Sequence, residues 1–100
     1  MNMGIIDIEK LKRYFSNQPV VKAWLFGSFA RGEEREDSDV DILVSFDENA
    51  RVSLLRHAGM LCDLEDILKR PVDLVNELSL YPEVMETVSH DKIPIYERSA

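Results

Sequence analysis

The feature that most constrains this chain is the seven-residue run Val20-Val21-Lys22-Ala23-Trp24-Leu25-Phe26, which stops at Gly27. β-Branched and aromatic side chains at this density, entered after Pro19 and halted by a glycine, read as a buried strand. A second strand is expected from Asp39 to Phe46. There Val40, Ile42 and Val44 point one way and Asp39, Asp41 and Leu43 the other, the period-two pattern of a half-buried strand. Between the two, Ser28-Phe29-Ala30-Arg31 reads as a short helical turn and Gly32 as its left-handed terminator. The charge run Glu33-Glu34-Arg35-Glu36-Asp37 is most simply a solvated loop, and Ser38 caps it as it enters the strand. Ten residues separate Ser28 from Asp39, enough for one turn and a loop that brings the second strand back antiparallel to the first.

Helical periodicity surrounds this pair. Ile8, Leu11 and Phe15 lie on one face of a helix expected over 7–17, which Asn17-Gln18-Pro19 ends. A longer amphipathic helix over 53–69 carries Leu54, Ala58, Leu61, Leu64 and Leu68 as its apolar stripe, widened by Met60 and Ile67. Pro71 opens a third strand, Val72 to Asn76, and a further helix begins near Leu80 and carries Val84, Met85 and Val88. Ile93-Pro94-Ile95-Tyr96 reads as a short edge strand, where proline is tolerated. Helices alternating with strands give an α/β or α+β class with one small sheet. One hundred residues make a single domain, residues 1–100, with room for one core.

Composition narrows the function. Apolar residues make up 45% of the chain, but no stretch is long enough to span a bilayer. Met1-Asn2-Met3-Gly4 does not begin a secretory signal. A lone cysteine, Cys62, has no internal partner, so a reducing cytoplasm is the expected compartment. The net charge of −7 argues against broad nucleic-acid binding, which needs a basic footprint. It suits a protein that gathers carboxylates around cations or docks on a basic partner, although taken alone a plain acidic surface is the simpler reading. His57 and His90 lack metal-ligand spacing and are expected at the surface, Cys62 as a small buried hydrophobe, and Trp24 in the core.

Two short motifs carry chemistry. Asp39 and Asp41 sit two apart on a strand, so both face one side, roughly 6.5 to 7 Å apart along the chain. Carboxylates so placed can converge on one hard cation, or on two about 3.5–4 Å apart, whose charge lets both stay ionised. By itself the pattern also describes the exposed face of an edge strand. A strand running into Gly27-Ser28 and then a helical turn can cradle phosphate, since glycine allows close backbone approach and the first N–H groups of the turn point outward. By itself that too is only a tight turn. The spacing joins them, because an antiparallel return sets the cradle beside the carboxylates, and a metal-bridged triphosphate would lie across both.

Gly27-Ser28-Phe29-Ala30-Arg31-Gly32, five intervening residues and Ser38-Asp39-Val40-Asp41-Ile42-Leu43-Val44 resemble the signature of the DNA polymerase beta nucleotidyltransferase superfamily, most closely its minimal nucleotidyltransferase branch. The resemblance implies a small mixed β-sheet flanked by helices, two Mg²⁺ ions, and attack of an acceptor hydroxyl on the α-phosphate of a nucleotide. It implies Asp39 and Asp41 as metal ligands, and Gly27 and Ser28 as holders of the β- and γ-phosphates. The family's third carboxylate, on a later strand, is assigned to Asp73, flanked by the core-facing Val72 and Leu74. Arg31 pairs either with a phosphate or with an acidic neighbour such as Asp41; both remain open. Larger relatives carry an acceptor-binding domain for which this chain has no room. Stand-alone members are typically paired with a helical HEPN toxin and act as antitoxins, moving AMP from ATP to a tyrosine of that RNase. The alternatives are a binding module that neutralises its partner by occlusion, and nucleotidyl transfer to a small molecule.

Overall fold

In a computed structural model, residues 2–3, 6–27, 30, 32 and 39–98 are described. Strands β1 (Asn2–Met3) and β2 (Ile6–Asp7) form a small antiparallel ladder of their own, which the sequence pattern did not suggest. Helix α1 (Ile8–Ser16) follows, and the Asp7 carboxylate accepts from the Lys10 amide at 3.3 Å to satisfy one of its open donors. The remaining elements are β3 (Val20–Phe26), β4 (Val40–Phe46), α2 (Leu54–Leu68), β5 (Val72–Asn76), a 3₁₀ turn (Glu77–Ser79), α3 (Pro82–Asp91) and β6 (Ile93–Glu97).

Four strands make one mixed sheet in the order β5-β4-β3-β6. β3 runs antiparallel to both β4 and β6, whereas β4 and β5 are parallel. A parallel neighbour cannot be reached by a hairpin, so the chain must cross over the sheet, and α2 is that crossover. Ser53 caps its start by accepting from the Arg56 amide at 3.1 Å. Lys69, in the left-handed conformation, closes it by donating its amide to the Glu65 carbonyl at 2.8 Å. The mixed α/β architecture is present, with the expected strands and the three longer helices; the helical turn expected from Ser28 to Arg31 and the loop expected over 33–38 fall on residues mostly outside those described.

Alternation along the strands separates two faces. Ala23, Leu25, Val40, Ile42, Val44, Val72, Leu74 and Ile95 face the helices, where they pack with Leu11 and Phe15 of α1 and Met60, Leu64 and Leu68 of α2. The opposite face carries a smaller cluster, Trp24 and Leu43, supported by Phe26, Val75 and Leu80. Leu43 is therefore fully buried rather than on a solvent side, because the turn after β5 brings Leu80 over it.

The stripe on α2 differs from the expectation. Met60, Leu64 and Leu68 are buried, with Leu61 and Ile67 packed at their margin, while Leu54 is 90% exposed and Ala58 and Cys62 are exposed too. At about 100° per residue, Ala58 and Cys62 are turned roughly 120° and 160° away from Leu64. Small size and apolarity suggested burial for Cys62; the rotational position of its Cβ decides otherwise. His57, expected at the surface, is half-buried, its Nε2 2.9 Å from the Leu74 carbonyl oxygen and its ring edge-on to Phe46.

Candidate active site

The register of the sheet brings the chemistry-bearing residues to one end and one face. Asp41 of β4 lies opposite Phe26 of β3 on one side and Asp73 of β5 on the other. Paired residues on neighbouring strands point to the same face, so Asp41 and Asp73 stand side by side on the face away from α1 and α2, about one strand spacing apart. Asp39 precedes β4 and shares this face by alternation; the Val40 amide donating to the Pro71 carbonyl at 3.0 Å fixes how the two strands enter together. Asp39 and Asp73 are exposed and Asp41 is half-buried.

β3 delivers Gly27 to the same spot. Its φ is +71°, a left-handed conformation that glycine adopts without penalty. A Cβ at this position would overlap Oδ2 of Asp41, with Cγ of Asp41 only 3.0 Å away. Glycine is thus required twice, once by the backbone and once by the carboxylate pressed against it. Gly32, the expected left-handed terminator, also has φ +71°. Ser28 and Arg31, expected to meet the nucleotide, lie outside the described residues.

The donor set suits a hard cation. Asp39, Asp41 and Asp73 offer only anionic oxygens, the ligands Mg²⁺ prefers, and Gly27 leaves space that Asp41 already uses. Among the described residues, no three His, Cys, Asp or Glu side chains close on a single point. The geometry present is Asp41 registered against Asp73 and packed against Gly27, with Asp39 two residues earlier in the chain, just before β4. Asp63, on α2, is occupied elsewhere, accepting from the Tyr14 hydroxyl at 2.8 Å. Nothing in the sequence pattern singles out Lys92, yet its ammonium sits 4.4 Å from the centre of the Trp24 ring, on the carboxylate face. The signal is visible only in the pairing of β6 with β3.

The profile of one family, described as polymerase beta, nucleotidyltransferase, matches residues 9–100. The chain belongs to that family. A candidate protein adenylyltransferase of Methanocaldococcus jannaschii is 40% identical over 88 residues, which cover 86% of this chain and 88% of the relative. The protein adenylyltransferase MntA of Thermococcus cleftensis is 45% identical over 69 residues, 69% of this chain and 68% of its own. A solved candidate minimal nucleotidyltransferase superposes with a TM-score of 0.79 at 38% identity, covering 94% of this chain and 96% of that one. The fold alone extends to an MNT antitoxin solved in complex with a tri-AMPylated HEPN toxin of Shewanella oneidensis, with a TM-score of 0.64 at 22% identity, over 91% of this chain and 67% of that one. This nucleotidyltransferase has no helix, among its described residues, long and apolar enough to cross a membrane.

Proposed function

We propose that this nucleotidyltransferase is an antitoxin that moves AMP from ATP onto a tyrosine hydroxyl of a HEPN-type partner. The observation that carries the reading is the pairing of Asp41 with Asp73 on one face while Gly27 abuts Asp41. Relatives named as protein adenylyltransferases, and likeness in fold to an antitoxin complexed with an AMPylated toxin, support it. We place the protein in the cytoplasm and treat residues 1–100 as one catalytic domain.

Asp39, Asp41 and Asp73 would hold Mg²⁺, two ions in all, which would neutralise charge on the phosphates as it develops. Gly27 and Ser28 would present backbone N–H groups and a hydroxyl to the β- and γ-phosphates. Arg31 would meet a phosphate or brace Asp41. Asp73 is the exposed carboxylate of the registered pair, and this reading gives it the acceptor side. A carboxylate oxygen of Asp73 would take the proton of the tyrosine hydroxyl as the tyrosine oxygen attacks the α-phosphorus. The bond from the α-phosphorus to the bridging oxygen breaks, and pyrophosphate leaves in line.

The test is to incubate the protein with ATP, Mg²⁺ and its co-purifying partner, then weigh the partner by mass spectrometry. An AMP adduct that vanishes with chelator and in the Asp39→Ala/Asp41→Ala double variant supports transfer. Full neutralisation of the partner by that variant, without adduct, would leave occlusion as the function.

A further inference from the structure

The row of the sheet that holds the carboxylates continues beyond β3. β6 pairs with β3 so that Pro94 faces Trp24 and Ile93 faces Leu25. Lys92 immediately precedes β6, and continuing this register by one residue sets it beside Phe26, which is itself opposite Asp41. Across the sheet the row therefore runs Asp73, Asp41, Phe26, Lys92. At strand spacings of about 4.7–4.9 Å, the Lys92 backbone lies roughly 10 Å from that of Asp41. Its ammonium occupies the same face as the carboxylates, because the Trp24 ring it covers belongs to that face. The contact that the structure gives for this ammonium is with the indole of Trp24.

A cation resting on an aromatic ring at the margin of an acidic site is held weakly and can be drawn off by a stronger anion. Phosphate oxygens are such an anion, since charge-assisted hydrogen bonds to them are stronger than a contact with a ring face. The flexible four-carbon stem of lysine permits the swing. On the proposed reading the acceptor enters beside Asp73, so a triphosphate whose α-phosphate lies at Asp41 has its far phosphates on the opposite side, where a positive group would hold them. Lys92 is on that side.

We propose that Lys92 is a triphosphate-binding residue of this site, one that leaves the Trp24 ring to hold the β- or γ-phosphate and the pyrophosphate formed from it. The assignment rests on the reading that the carboxylate face takes a nucleoside triphosphate. It adds a specificity: affinity for ATP over AMP comes in part from the junction of α3 with β6.

Trp24 is the one tryptophan of the chain, so its emission reports the departure of Lys92. Titrations with ATP and with AMP, each with Mg²⁺, would follow Trp24 fluorescence and calorimetric affinity in the wild type, Lys92→Met and Lys92→Arg. The expected result is that ATP, but not AMP, changes the emission of the wild type. Lys92→Met should lose that change and bind ATP about 10- to 100-fold more weakly, with AMP affinity kept within about twofold. Lys92→Arg should retain most of the ATP affinity. Unaltered ATP binding by Lys92→Met, or equal loss for ATP and AMP, overturns the assignment while leaving the nucleotide site intact. A wild type that binds no ATP overturns both. Unchanged melting temperatures across the variants separate loss of a contact from loss of the fold.

Discussion

Gly27→Ala against Gly32→Ala is a matched pair of perturbations. Both glycines have φ +71°, so an alanine at either site meets the same unfavourable backbone conformation, costing about 1–2 kcal/mol. For a domain of this length that is a fall in melting temperature of roughly 4–8 °C per kcal/mol. The surroundings differ. Among the described residues a Cβ at Gly32 meets nothing within 4 Å, whereas at Gly27 it overlaps Oδ2 of Asp41 and comes within 3.0 Å of its Cγ. The carboxylate must therefore move, or β3 must shift against β4, in the Gly27 variant alone. Displacement of a catalytic group by about 1 Å costs on the order of 100-fold in rate. Gly27→Ala should lose about two orders of magnitude or more in nucleotidyl transfer and melt below Gly32→Ala. Gly32→Ala should show the backbone penalty with activity largely kept. Thermal melts by circular dichroism and release of pyrophosphate from ATP measure the two quantities. Equal activity in the two variants would refute the argument that Asp41 is held against the glycine.

Two further predictions concern the scaffold. Leu64→Ala, at a fully buried position on α2, should cost about 2–5 kcal/mol in urea unfolding, whereas Leu54→Ala, 90% exposed on the same helix, should stay within about 0.5 kcal/mol. Similar losses at both would restore the stripe expected from the sequence. Tyr14 is shifted in the alkaline direction, first by burial and then by its hydrogen bond to the Asp63 carboxylate and that group's charge. A folded-state pKa above the unfolded value near 10 means stability is fully present below pH about 10 and declines as pH rises beyond it. Tyr14→Phe should flatten that alkaline decline, read from melting temperatures between pH 8 and 11; an unchanged slope would assign it to other groups.

Much of this protein is local and so legible in the residues. The 7–17 and 53–69 helices end where Asp7, Asn17, Ser53 and Lys69 cap them, because capping depends on side chains a few positions away. The strands follow their alternation, and Gly27 and Gly32 take the left-handed conformation their neighbours leave to them. The Gly-Ser and Asp-x-Asp pair needed only a spacing to be recognised as a candidate site.

Rotation and register were decided elsewhere. Which side of α2 is buried depends on how the helix seats on β4 and β5, so Met60 is buried while Leu54 and Cys62 are exposed, although all three are apolar. Leu43 is buried on the carboxylate face because Leu80, 37 residues later, packs there with Trp24. Asp73 stands beside Asp41, rather than elsewhere on the sheet, because β4 and β5 pair in parallel in this register. Lys92 gained its position in the same way, through the antiparallel pairing of β6 with β3. The sequence by itself determined the elements, their caps and the motif, which depend on neighbours along the chain. The tertiary structure decided which carboxylate and which cation stand in the motif's row, since strand register is a property of the assembled sheet.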